Sequence, residues 1–206
     1  MKKLGALFLT AFLITFPVGS FAQKTYGLAV GTQAPDFSAQ NYLGQKVTLS
    51  DYAKEGPVIL LFYRGAWCPY CTLQLKNFQD NLSQFEPYNA AIIAISVDTP
   101  EYAAVVAEKQ KIDFEIISNP QADILTSYNL VFEVPEDLRN KYFNEYKIDL
   151  KAHSGRTDGI IAVPAVFIVD SSQKVVYAYA NEDYKIRKSA EDILSELQQY
   201  FPLPKQ

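Results

Sequence analysis

Two stretches of the chain are apolar without alternation: residues 57–63, PVILLFY, and residues 90–97, AAIIAISV. A strand with one wet face alternates apolar and polar positions, whereas a strand covered on both faces does not, so both stretches read as central strands of a parallel sheet. Between them, residues 71–85 (CTLQLKNFQDNLSQF) place Leu75, Phe78, Leu82 and Phe85 on one side of a 3.6-residue period, which predicts an amphipathic helix. After the second stretch, Thr99-Pro100-Glu101 supplies an N-cap, a proline at the first helical position and an acid in the first turn. That predicts a helix running to about Lys109. Strand, helix, strand, helix in this order makes a right-handed βαβ unit.

The pattern changes in the last third. Residues 165–170 (AVFIVD) and 175–180 (VVYAYA) are separated by the polar SSQK, which predicts an antiparallel hairpin. Ser189 with Asp192 then has the spacing of a capping box ahead of a final helix, AEDILSELQQYF. Between the halves lies VPEDLRNKYFNEYKI, with Pro135 at a helix start, and then a polar stretch, KAHSGRTDG, expected to be a loop. The fold class is therefore α/β: a central mixed sheet flanked by helices, with a helical insertion before the C-terminal hairpin.

The first residues have the pattern of a secretory leader. Lys2 and Lys3 precede an apolar run that Pro17 and Gly19 break, and Ser20 and Ala22 put small residues at a cleavage site, expected between Ala22 and Gln23. An uncleaved anchor is the alternative, but the run is shorter than the roughly 18–20 apolar residues that span a bilayer. Residues 1–22 are thus expected to be a signal peptide and residues 23–206 one domain, periplasmic or secreted, with no stable membrane span. Loss of Lys2 and Lys3 takes the formal charge from −4 to −6, which disfavours nucleic acid as a partner.

The only two cysteines, Cys68 and Cys71, sit in FYRGAWCPYC. A disulfide between them would close a tiny loop and restrict the unfolded chain very little, so a purely structural bridge is a poor reading. Zinc would need four ligands, and the chain adds only one histidine, His153, far along the sequence. A redox pair explains the placement. Cys68 lies where a buried strand gives way to a helix, with Pro69 at the first helical position, so its sulfur is expected at the positive end of the helix dipole, exposed and ionised. Residues three apart on a helix have Cα atoms about 5 Å apart, inside the ~4.4–6.8 Å window for a disulfide.

Arg64 is a candidate for stabilising a thiolate or orienting a substrate, with a surface ion pair as the alternative. Trp67 is expected to pack beside the sulfurs. His153 is read as a loop residue, with an acid–base role as the alternative. Pro164, after Val163, stands just before the AVFIVD strand, where a cis bond or an ordinary strand-entry proline are both open.

The segments GTQAPDFSAQNYLGQKVTLSDY, FYRGAWCPYC, AISVDTPE, YNLVFEVPEDLRNKY, VPAVFIVD and EDYKIRKSAEDIL together resemble the peroxiredoxin-like members of the alkyl hydroperoxide reductase/thiol-specific antioxidant family. The resemblance implies a thioredoxin-like fold and covers nearly all of residues 23–206. It implies that a loop at Val163 and Pro164 faces the cysteines and lends backbone groups to a bound strand. There are two departures. In that family a threonine precedes the peroxide-attacking cysteine by three positions, and an arginine further on holds the peroxide. Here Cys71 falls at the attacking position, Cys68 at the threonine, and Pro164 at the arginine, with Arg64 or Arg187 as candidate substitutes.

These features lead to an expected extracytoplasmic thiol–disulfide oxidoreductase in which Cys68 attacks and Cys71 resolves, with Arg64, Trp67, Val163 and Pro164 at the substrate. The alternatives are a thiol peroxidase recycled by an external thiol, and a non-catalytic binding protein. The expected partners are a protein or small-molecule disulfide or a hydroperoxide, and an external thiol/disulfide redox partner. No cofactor is implied beyond the redox-active Cys68–Cys71 pair itself.

Overall fold

The computed structural model describes residues 25–203, so the expected leader and cleavage site lie outside the described residues. A short antiparallel ribbon, β1 (Ser38–Gln40) and β2 (Lys46–Thr48), leads into α1 (Leu49–Glu55). Then follow β3 (Val58–Phe62), α2 (Pro69–Asp80), β4 (Ala91–Ser96), α3 (Pro100–Gln110) and β5 (Glu115–Ser118). The insertion comprises α4 (Asp123–Ser127), β6 (Val131–Glu133), α5 (Glu136–Tyr146), α6 (Leu150–Ser154) and β7 (Ile160–Ala162). The chain closes with β8 (Ala165–Val169), β9 (Val175–Ala180) and α7 (Ala190–Tyr200).

The central sheet has the order β5-β4-β3-β8-β9. β3, β4 and β5 run parallel, while β8 runs antiparallel to both β3 and β9. The lack of alternation in β3 has the expected cause. Val58, Leu60 and Phe62 enter one core with Tyr128 and Phe167, and Ile59 and Leu61 enter another on the opposite face, with Leu75, Phe78 and Leu197. At about 25 cal/mol per Å² of apolar surface, this double burial makes β3 and β4 the main hydrophobic anchor of the sheet.

Two expectations change. The helix after Cys68 stops at Asp80 rather than Phe85, because the Asn81 side chain donates back to the Asn77 carbonyl and Pro87 cannot continue a helix. Two 3₁₀ turns follow (Leu82–Gln84 and Glu86–Tyr88), and Phe85 still reaches the core to stack on Phe78. The polar stretch read as a loop begins in a helix. Asp149 accepts from the Ala152 N–H and caps α6, which ends at Gly155, with φ +71°. His153 is therefore a helical residue. The capping box at Ser189 and Asp192 is present as expected. No helix among the described residues is long and apolar enough to cross a membrane.

Candidate active site

The turn between β3 and α2 carries both cysteines. Gly65 makes the turn possible: its φ is +148°, and a Cβ there would lie 2.5 Å from Trp67 Nε1 and 2.9 Å from Asp98 Oδ1. Cys68 keeps extended geometry (φ −90°, ψ 113°) and stands at the N-cap of α2, with Pro69 opening the helix. Its carbonyl accepts from the Cys71 and Thr72 N–H groups, which puts Cys71 one turn along. Both cysteines are free thiols.

The expected exposure of Cys68 is overturned. Cys68 is 1% exposed and Cys71 0%, because both belong to the same apolar core as Leu75 and Phe78 and Arg187 lies against both sulfurs. The expected ionisation fits. The Cys68 thiol is lowered from 9.0 to about 6, chiefly by a hydrogen bond from Cys71, against the cost of burial and with help from the charges of Arg64 and Arg187. Cys71 is pushed far the other way by burial, then by its bond to Cys68 and the Cys68 charge. The pair therefore gives up one proton readily and keeps the other, with the charge on Cys68.

Arg187, in the β9–α7 connection, supplies the cation that touches the pair. One Nη stands 3.2 Å from Cys71 Sγ and 3.9 Å from Cys68 Sγ. The guanidinium is held by Gln74 Oε1 at 3.0 Å and by the Tyr184 carbonyl at 2.7 Å, and Gln74 in turn donates to the Lys188 carbonyl. The guanidinium in contact with the sulfurs thus comes from Arg187, after β9, and not from the position that Pro164 occupies.

Arg64 is not a surface ion pair. It is 6% exposed, donates to Tyr142 Oη at 2.7 Å, and lies 4.7 Å from the centre of the Trp67 ring and 4.1 Å from that of Tyr184. Its backbone N–H points at Cys71 Sγ, 3.4 Å away. Trp67 packs beside the pair and against Tyr142. The Val163–Pro164 bond is trans, with no cis bond among the described residues, because β7 runs into β8 without a tight turn. The Val163 N–H already donates to the Leu130 carbonyl and the Pro164 carbonyl already accepts from Asn181, so these groups are not free for an added strand. Arg64, Val163 and Pro164 instead line one apolar cleft of about 160 Å³ with Phe132, Leu138 and Tyr142.

Behind the turn lies a buried polar group that the sequence reading passed over. Asp98 follows β4, is 1% exposed, and accepts at Oδ2 from the Ala66 N–H (2.8 Å) and the Ser96 hydroxyl (2.9 Å). Burial raises its carboxyl to about 7. Its Oδ1 has no hydrogen-bond partner and faces His153 Nδ1, equally unpartnered, at 3.8 Å. The available signal was an acid directly after an eight-residue apolar run, where a charge would be buried.

A family model described as AhpC/TSA family matches residues 30–178. The chain belongs to the AhpC/TSA family. A Mycobacterium tuberculosis protein that carries a peroxiredoxin name is 32% identical over 159 residues, covering 77% of this chain and 88% of its own. Peroxiredoxin Bcp of Escherichia coli is 25% identical over 174 residues, covering 84% and 97%. Among solved structures, peroxidoxin BcpB from Mycobacterium tuberculosis superposes with a TM-score of 0.62 at 21% identity, over 81% of this chain and 91% of that one. The bacterioferritin comigratory protein of Xanthomonas campestris, whose structural report concerns alkyl peroxide reduction, gives a TM-score of 0.61 at 18% identity, over 80% and 91%. The fold is the thioredoxin-like fold of the peroxiredoxins, and the protein is a peroxiredoxin-like thiol oxidoreductase. Of the two enzymatic readings made from sequence, these relatives favour hydroperoxide reduction over protein disulfide exchange.

Proposed function

We propose that this protein is a thiol peroxidase that works outside the cytoplasm and reduces small hydroperoxides with the Cys68–Cys71 pair. The observation that carries this reading is a sulfur that is almost completely buried beneath the Arg187 guanidinium. In-line attack on a folded protein's disulfide needs an exposed sulfur, whereas a hydroperoxide is little larger than water at its reacting end. The 160 Å³ cleft beside Arg64 suits the organic part of such a molecule.

The Cys68 thiolate attacks the outer peroxide oxygen. An S–O bond forms, the O–O bond breaks, and the leaving alkoxide takes a proton to become an alcohol. Cys68 is then a sulfenic acid, oxidised by two electrons. The Cys71 thiol displaces its hydroxyl as water and closes the disulfide. Two external thiols restore the pair by exchange, approaching over Pro69 and Tyr70, which are exposed. Arg187 stabilises the thiolate before attack and stands near the oxygen that leaves.

The test uses residues 23–206, reduced and then mixed with hydrogen peroxide, an alkyl hydroperoxide or insulin. Fast peroxide consumption with formation of one disulfide, and no catalytic reduction of insulin, is expected; the opposite pattern overturns the reading. Peroxide consumption that survives Cys68→Ser but not Cys71→Ser would reassign the attacker to Cys71. Amino-terminal sequencing of the periplasmic protein should begin at Gln23, and recovery of uncleaved protein from the cytoplasm would remove the proposed location.

A further inference from the structure

Asp98 takes no part in the chemistry described so far, yet it is placed against it. Its Oδ2 holds the Ala66 N–H, in the turn that delivers Cys68. Its Oδ1 is left without a bond in the interior and aims at His153 Nδ1. A buried carboxylate oxygen without a donor costs too much to be kept for packing alone.

The groups that face Asp98 sort into a proton-handling set. Ser96, on its own strand end, donates to Oδ2. Tyr63, directly after β3, is buried, and its hydroxyl stands beside Ser96 and Asp98 without a formed hydrogen bond. Cys68 follows by two residues the Ala66 N–H that Asp98 holds, so its charge adds to burial in opposing ionisation of Asp98. His153, from α6, is 16% exposed, is pushed toward its neutral form by burial, and has Asp149 behind it and the Tyr102 ring against its face. Two negative charges, on Cys68 and on Asp98, are unfavourable in so small a buried volume; one is tolerable.

We propose that Asp98 is the proton store of the cysteine pair, keeping its proton while Cys68 is a thiolate and releasing it when the disulfide forms. This rests on the peroxidase reading for its balance. A thiolate, a thiol and a hydroperoxide yield a disulfide, an alcohol and water only if one further proton is supplied. Asp98 supplies it and takes over the single negative charge that Cys68 gives up. On reduction by an external dithiol, one proton is left over as Cys68 becomes a thiolate again, and Asp98 takes it back. The His153 ring, with its buried Nδ1 beside the free Oδ1 and the rest of the side chain partly open to solvent, is the outlet through which the carboxyl equilibrates. Asp98 is in this sense a positioning and charge-balancing group; it does not touch the peroxide.

The test is a single turnover in weak buffer at about pH 6.5 with a proton indicator and one equivalent of hydrogen peroxide. The wild type should draw less than about half a proton from solution per disulfide, and Asp98→Asn most of one. Most of a proton drawn by the wild type overturns the proposal. A second measurement needs no variant and no peroxide: the infrared difference between the wild-type dithiol, prepared with a phosphine, and its disulfide. A protonated carboxyl band should be lost and a carboxylate band gained on oxidation, and an unchanged carboxyl region overturns the proposal even if Asp98→Asn does not fold. Absence of peroxide consumption would instead count against the peroxidase reading, leaving the infrared result to decide on Asp98.

Discussion

The low thiol of Cys68 is traced first to the hydrogen bond from Cys71, and a pair of single-cysteine variants isolates that bond. Cys71→Ala removes the donor; Cys71→Ser keeps a hydroxyl in nearly the same place, within reach of the Arg64 N–H and of Arg187. A hydrogen bond to a charged group contributes about 1.5–3 kcal/mol, and at about 1.36 kcal/mol per pKa unit its loss raises Cys68 by about one to two units. From about 6, the thiol should therefore move into the range of about 7–8 in Cys71→Ala and stay close to its starting point in Cys71→Ser. At about pH 7 the ionised fraction would drop from about 90% to about 10–50% in the alanine variant. Because Cys68 is buried, ultraviolet thiolate absorbance against pH is the suitable assay; it needs no reagent to reach the sulfur. Should the two variants titrate together, the bond from Cys71 is not the cause of the depression, and the charges of Arg64 and Arg187 must carry it.

Three further outcomes are expected. Arg187→Met should slow peroxide reduction by about tenfold to a hundredfold, the worth of one charge-assisted contact, with the fold unchanged by circular dichroism; a wild-type rate would remove Arg187 from the site. Asp98 has a folded-state carboxyl raised to about 7 from 3.8, so its ionisation costs stability as pH rises through that interval. Denaturant melts should thus show Asp98→Asn gaining on the wild type by on the order of 4 kcal/mol between about pH 4 and pH 8, and a constant gap would contradict the raised carboxyl. Gly65→Ala forces a side chain into Trp67 and Asp98 at a left-handed φ, so a loss of about 2 kcal/mol or more is expected by the same melts.

Much of the frame could be read before any coordinates. β3 and β4 are legible because both their faces are covered and the code for that is simple: a run of apolar residues without alternation, with Ser96 at its end the one polar member. Cys68 at the head of α2 is legible because Pro69 marks the first helical position. The end of α2 was misplaced because Leu82 and Phe85 keep the apolar period while Asn81 turns its side chain back onto the helix. The larger error concerned exposure. Nothing near Cys68 in sequence says that it is covered, since the residue that closes over both sulfurs is Arg187, in a connection after β9. That Asp98 and His153 meet is not legible for a related reason: each is unremarkable in its own segment, and the two segments are brought together by contacts such as the bond from the Thr99 N–H to the His153 carbonyl.

Arg187 lies beyond residue 178, where the match to the family model ends. The two sulfurs therefore fall inside the stretch that matches the family model, and the guanidinium that touches them falls outside it. Arg187→Met would leave α7 and the core around both sulfurs in place and remove only the charge that touches them. Relatives that share FYRGAWCPYC but differ after β9 need not share its reactivity.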